Sequence, residues 1–340
     1  MLDHGGNLQT AAKQYGIAVD NWIDLSTGIN PNHYPIPDIP VECFSRLPEN
    51  NDGLLEAAQQ YYQADNLLPI AGSQAAIQLL PALRKRSKVA VPDIGYAEHA
   101  YRWHKEGHEV VFYKTGDIET IINSIDVLVL INPNNPTGEC YTRNQILNWH
   151  KVLKSNGGWL IVDEAFIDCE DIRSSIDLCN REGLIVLRSV GKYFGLAGLR
   201  GGFVFSEKNL LMKLQEKLGP WAISGVSRYI IKHALLDTTW QTDNKAKIEK
   251  ISSQMNSILY NVTGIQPVGT HLYKTILHPD AENIHRLFAE QGLLVRLLDN
   301  KKGLRFGLPA VDQISNVNKI IDNVFSNHAC FDLTNKVMSA

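Results

Sequence analysis

Four short runs constrain this chain more than anything else in it: Lys88-Val89-Ala90-Val91, Asp126 to Ile131, Trp159 to Val162 and Leu184 to Arg188. Each is apolar and rich in β-branched residues, as a buried strand requires. A strand with one wet face would alternate apolar and polar residues, so these predict a sheet covered on both faces. Helical patterns fall between them, one after Tyr96 and one from Thr142 to Lys154 that Gly157-Gly158 closes. Strands alternating with helices predict an α/β fold with a mainly parallel sheet. In such sheets ligands sit off the carboxyl ends of the strands. Polar clusters follow the strands at Gly72, Asn135, Asp163 and Lys192. Their shared position carries more weight than any one of them.

The remaining chain divides around this sheet. Residues 1–45 read as an irregular arm, dense in turn formers from Asp24 to Pro35 and kept extended by Pro37 and Pro40. An arm this long covers a site or embraces a partner subunit. Residues 46–225 form the large domain. Residues 226–340 open with long helices and continue as a smaller α+β domain, with strands near Leu272–Leu277, Leu293–Arg296 and Leu304–Gly307. The 340 residues are enough for one large domain or two linked ones. A formal net charge of −3 leaves no basic excess for nucleic acid or an anionic membrane. No apolar run reaches the length of a membrane span. The five cysteines are scattered, with no CxxC pair, and Met1 to Asn7 shows no secretory pattern, so a reducing, cytoplasmic setting is expected.

Lys192 lies just past the strand Leu184–Arg188, in a segment rich in glycine and hydroxyl groups. An amine there is either a nucleophile toward a carbonyl or a solvated loop lysine. Gly72-Ser73-Gln74, between an apolar run and a helix start, is either an anion site or a plain turn with a serine cap. Ser189 and Arg200 add a hydroxyl and a planar guanidinium suited to phosphate. With the carboxylate of Asp163, the amide of Asn135 and the ring of Tyr96, these residues make up the inventory for pyridoxal 5'-phosphate: a Schiff-base lysine, an acid for the pyridinium nitrogen and a phosphate cradle.

Asn134-Asn135-Pro136-Thr137-Gly138, Asp163-Glu164-Ala165 and Ser189-x-x-Lys192 followed by Arg200 resemble, in order and spacing, the motifs of the fold-type I, aspartate-aminotransferase-like enzymes. The resemblance implies a large domain with a mainly parallel seven-stranded sheet, a smaller α+β domain, and a homodimer with its active site near the subunit interface. It implies that Lys192 bonds the cofactor, Asp163 pairs with its ring nitrogen and Asn135 bonds its 3-oxygen. Gly72, Ser73, Gln74, Ser189 and Arg200 would form the phosphate cup, and Tyr96 would stack on the ring. His4-Gly5-Gly6-Asn7, the stretch from Asp24 to Pro31 and Asp163 to Asp168 resemble, more narrowly, the L-threonine-O-3-phosphate decarboxylases of cobalamin synthesis. The near relatives, histidinol-phosphate aminotransferases, typically carry tyrosine where Phe166 stands, and they are the alternative. Gly292 to Arg296 and Gly303 to Pro309 match the shorter branch of the decarboxylases. There Arg305 would clamp the substrate's α-carboxylate and Arg296 its phosphate, with His4 and Asn30 of the arm helping to seat it. Leu47 and Gly28 depart from the pattern, where relatives carry a tyrosine and an asparagine.

Other residues read as bland. Glu164, Asp168 and the cluster Arg84 to Lys88 are expected to form solvated faces or caps. His99, His104 and His108 fall near helical spacing without carboxylate partners, so no metal site is expected. His4 serves either the arm's structure or a substrate phosphate. A non-catalytic scaffold on the same fold is the rival from another class, and Lys192 speaks against it.

Overall fold

The apolar runs become strands in a computed structural model, which describes residues 5–326. In chain order the strands are β1 Ile23–Asp24, β2 Leu67–Ile70, β3 Lys88–Pro92, β4 Glu109–Tyr113, β5 Val127–Ile131, β6 Trp159–Asp163, β7 Leu184–Ser189, β8 Gly202–Phe205, β9 Val268–Thr270, β10 Tyr273–Leu277, β11 Leu293–Leu294, β12 Arg296–Leu297 and β13 Gly303–Gly307. Two compact units contain them. One is residues 33–241, and the other is residues 1–32 with 242–340.

The first unit is built on a seven-stranded sheet of order β2-β8-β7-β6-β5-β3-β4. Pairings from β4 to β7 are parallel, and β8 runs antiparallel to both β2 and β7. Every residue of β5 and β7 is buried, as continuous apolar strands between two helical layers must be. One result of this topology is an edge where the carboxyl ends of β2, β3, β5, β6 and β7 meet the amino end of β8. Register partners Ile131 and Asp163, Ser189 and Gly202, and Ile70 and Gly202 fix that edge. Helices start there or cross back. In Arg143–Ser155 Thr142 and Gln145 form a reciprocal cap. The helix after Tyr96, Glu98–Lys105, is eight residues and shorter than its pattern suggested, because Gly107 turns the chain at φ +83.

In the second unit β12-β13-β10-β9 form a four-stranded antiparallel sheet, and β1 pairs in parallel with β11. The helices Ala281–Glu290 and Ile314–Ser326 close its core, with Phe288 edge-on to Phe306 and Phe325 at 5.6 and 6.1 Å. The arm is less irregular than expected. Leu8–Tyr15 is a helix whose Leu8, Ala11, Ala12 and Tyr15 pack with Trp22, Ala289 and Leu294. Two turns of period were overshadowed by the turn formers that follow them. Beyond this helix the arm lies along β13: the Gly307 N–H donates to Leu25 O at 2.7 Å, and a Cβ on Gly307 would collide with Thr27 O.

Glu164 and Asp168 correct the expectation of solvated faces. Their side chains are 0% and 2% exposed, and both pair with Arg188, itself 6% exposed on β7. Arg188 Nη1 lies 3.4 Å from Glu164 Oε2, and Arg188 Nη2 pairs with Asp168. Ser174 and the Tyr61 hydroxyl bond the two carboxylates, and the Arg188 guanidinium lies 4.9 Å over the Tyr62 ring. Burial opposes the charge on Arg188, but Asp168, Tyr62 and Glu164 outweigh it and raise its pKa. A charged cluster of this kind depends on all its members, because removing one strands the others in a dry interior. Arg188→Met is expected to lower stability by about 3–5 kcal/mol, read as a shift of the guanidinium unfolding midpoint. Adding Glu164→Gln and Asp168→Asn should recover part of the loss.

Candidate active site

The converging strand ends of the first unit bring together most of the residues singled out in the sequence. After β2 the chain turns at Gly72, φ +73, into the helix Ser73–Leu79. A positive φ suits glycine, and space demands it as well: a Cβ on Gly72 would lie 2.9 Å from Arg200 Nη2. Arg200 is itself left-handed at φ +52, two residues before β8, with Nη1 donating to Ala197 O at 3.1 Å. Gly202 repeats the constraint, because its Cβ would fall 2.9 Å from Ser73 N. Two bare glycines therefore leave a concavity lined by a helix's first amide and a guanidinium. Ser189 ends β7 directly opposite Gly202.

Lys192 sits in the one-turn helix Val190–Tyr193 that follows β7. Its neighbours are pinned from several sides. Tyr193 donates its hydroxyl to Gln241 O at 2.5 Å, Phe194 stacks on Trp240 at 5.7 Å, and the Tyr34 N–H donates to Phe194 O at 2.9 Å. Lys192 Nζ lies 5.3 Å from the centre of the Phe166 ring, an apolar and π-rich face for an amine. Asp163, buried at the end of β6, accepts the Ala165 N–H through Oδ1 at 3.1 Å and meets His99 Nε2 through Oδ2 at 2.9 Å. A carboxylate only accepts, so His99 carries its proton on Nε2 and holds Asp163 in one orientation. Asn135 follows β5 in a turn that its neighbours hold. Asn134 Nδ2 donates to Ile94 O and Thr137 Oγ1 at 2.8 and 2.9 Å, and Asn132 Oδ1 accepts the Tyr141 N–H at 2.8 Å. The Tyr96 hydroxyl donates to Gln74 Oε1 at 3.1 Å. The Gln74 side chain thus holds the Tyr96 hydroxyl.

His99 is the residue that sequence reasoning passed over. The signal was present: it stands three residues after Tyr96, one helical turn away on the same side. What was missing was its partner, 64 residues further along the chain.

The second unit holds the remaining candidates. Arg296 and Arg305 are register partners across β12 and β13. Arg305 is half-buried, donates Nη2 to Ser26 O at 2.8 Å and lies 5.4 Å over the Tyr273 ring. Burial, opposed by Tyr273 and reinforced by the like charge of Arg296, pushes its guanidinium down to about 10. Arg296 Nη2 pairs with Asp299 at 2.8 Å and lines a cavity of about 670 Å³ shared with Asn7, Ser26, His285 and Arg286. Asn30 is buried, its Nδ2 donating to Asn32 O and Asn244 Oδ1 at 2.8 and 2.9 Å, so both donors hold the fold. His4 lies outside the described residues. Among the described residues no cluster of three or more His, Cys, Asp or Glu could hold a metal.

The sequence model for aminotransferases of class I and II matches residues 48–304. The chain belongs to this family. It is 44% identical to a threonine-phosphate decarboxylase of Pseudomonas aeruginosa, over 91% of this chain and 94% of the relative. To a threonine-phosphate decarboxylase of a Sinorhizobium species it is 36% identical, over 87% and 90%. The crystal structure of histidinol-phosphate aminotransferase from Sinorhizobium meliloti in complex with pyridoxal-5'-phosphate shares the fold, with a TM-score of 0.81 over 96% of each chain at 16% identity. Pyridoxal 5'-phosphate is the family's cofactor, and the first unit fits it. The glycine-lined concavity beside Arg200 suits a phosphate. Asp163 with His99 is a buried carboxylate held ready for a cationic ring nitrogen, and Lys192 supplies an amine at the same edge.

Gly72→Ala places a methyl group against Arg200 at a backbone angle, φ +73 and ψ 159, that costs a non-glycine residue about 1–3 kcal/mol. Cofactor affinity, followed by titration of the visible absorbance, is expected to fall by roughly tenfold for each 1.4 kcal/mol carried into binding, with the far-ultraviolet spectrum unchanged.

Proposed function

We propose that the protein removes the α-carboxylate of L-threonine O-3-phosphate as carbon dioxide, giving (R)-1-aminopropan-2-ol O-phosphate for cobalamin biosynthesis. Its similarity to threonine-phosphate decarboxylases along nearly the whole of both chains carries this reading. The chemistry of the second unit supports it. Threonine phosphate presents two anions, a carboxylate and a phosphate, and the paired strands β12 and β13 carry two guanidinium groups.

Pyridoxal phosphate, when bound, supplies the electron sink for the pair left at Cα. The chain's own residues do the rest. Asp163, oriented by His99, would pair with the ring nitrogen, and Asn135 would bond the 3-oxygen. Ser73, Ser189 and Arg200 would hold the phosphate at Gly72, and Tyr96 would stack on the ring. Lys192 would bond the cofactor until the substrate's own amine displaces it, and its freed amine would then return a proton to Cα after carbon dioxide leaves. Arg305 binds the carboxylate: a guanidinium whose charge is disfavoured by burial gains most from an arriving anion. Arg296, at a cavity with room for it, takes the substrate's phosphate. His4 and Asn30 belong to the arm that seats the substrate, Asn30 through the backbone it holds.

A second copy of the chain completes the assembly in this reading. Ile36, Val41, Phe44 and Leu47 are at least half exposed within one short stretch, an apolar patch that marks a protein interface. Phe44→Lys with Leu47→Lys is expected to shift the mass in light scattering from dimer toward monomer. Cys43, Cys140, Cys169 and Cys179 are free thiols, which supports a reducing, cytoplasmic setting. No helix among the described residues is long and apolar enough to cross a membrane.

The decisive experiment supplies L-threonine O-3-phosphate to the holoenzyme and measures carbon dioxide. Release with wild type, and loss of about 10²–10⁴-fold in Lys192→Ala, is the expected result. Glutamate-dependent amino transfer without carbon dioxide would assign the aminotransferase reaction to the site.

A further inference from the structure

Glu98 is a buried acid, 6% exposed, that the reaction above does not use. It opens the helix Glu98–Lys105, two residues after Tyr96. Its Oε2 accepts two hydrogen bonds, from Gln74 Nε2 at 2.7 Å and from Arg102 Nε at 2.9 Å. Gln74 in turn receives the Tyr96 hydroxyl on Oε1 at 3.1 Å.

We propose that Glu98 is a positioning residue that, through the Gln74 amide, holds the ring of Tyr96 at the cofactor. The argument is one of donors and acceptors. A carboxylate can only accept, so the Gln74 amide must turn its NH2 toward Glu98. The amide is planar, so its oxygen then faces the other way, toward Tyr96. An oxygen there can only accept, so the tyrosine hydroxyl must donate. The accepting oxygen of Glu98 therefore sets the direction of both bonds, and the Arg102 guanidinium bonds the same oxygen and holds it in place. The hydroxyl stays protonated, since burial and then Glu98 and Asp163, against Arg200 and Arg102, push Tyr96 up to about 12. A ring anchored at its hydroxyl keeps its face in one plane. This inference rests on the reading that Tyr96 stacks on the cofactor.

The test uses the holoenzyme and two readouts: the induced circular dichroism of the cofactor's visible band, and the rate at which cofactor is lost on dilution. Glu98→Leu, Gln74→Leu and Tyr96→Phe each break the relay at a different point. Each is expected to weaken the dichroic band and speed cofactor loss by roughly five- to tenfold, the scale of one buried hydrogen bond. Glu98→Gln keeps an oxygen that can accept from both Gln74 and Arg102, so it should stay within about twofold of wild type. Glu98→Leu combined with Tyr96→Phe should be no worse than either alone. Additive losses in that pair, or wild-type dichroism and retention in Gln74→Leu, would overturn the proposal. Gln74 is only half-buried, so its variant decides the matter even if Glu98→Leu fails to fold. Tyr96→Leu separates the two ideas. Wild-type behaviour in that variant would remove the stacking reading itself. A loss there, with Gln74→Leu unchanged, would keep the stacking and discard the relay.

Discussion

A sheet covered on both faces leaves no room for polar side chains except at its ends. That constraint organises the first unit. Strands β3, β5, β6 and β7 bury their faces, so their functional groups appear only where the strands stop. Parallel direction puts those stops at one edge. The antiparallel β8 adds to the same edge from its amino end, which is how Arg200 comes to lie beside Gly72 although it precedes a strand. Arg188 is the exception within a strand. Its charge is tolerated because Glu164 and Asp168 reach it from the segment that follows β6, and that same segment carries Phe166 to Lys192.

Two adjacent residues tie the helix after Tyr96 to the rest of the edge. Glu98 turns to Gln74, behind β2, while His99 turns to Asp163, at the end of β6. Tyr96 itself is edge-on to His99 at 6.2 Å and bonded to Gln74. One helical turn thus links the ring expected over the cofactor to the carboxylate expected under its nitrogen. Precision of this kind comes from supporting bonds, because a side chain that only touches a ligand is free to turn.

Much of this is legible in the order of the residues alone. Continuous apolar runs announce the buried strands, and Lys192, Asp163, Asn135 and Gly72 can be placed at their ends by counting residues. The helix Leu8–Tyr15 is harder to see, since two turns of period compete with a long run of turn formers. Glu164 and Asp168 look in sequence like any surface acids, because the arginine that neutralises them stands 24 and 20 residues later. His99 is marked only by standing three residues after Tyr96, and neither it nor Glu98 shows in sequence what it binds. Their roles come from Asp163 and Gln74, and no pattern within a helix reveals a partner on another element.

By itself, the sequence determined the fold class and the chemical inventory, because strand burial and residue type are properties of short stretches. The tertiary structure alone decided who holds whom: His99 on Asp163, the Gln74 side chain on Tyr96, Asn30 on Asn244, and Arg188 between two buried acids. The physical reason is that hydrogen bonds and ion pairs act over a few ångströms of space. Distance along the chain says nothing of that until the sheet has brought its strand ends together.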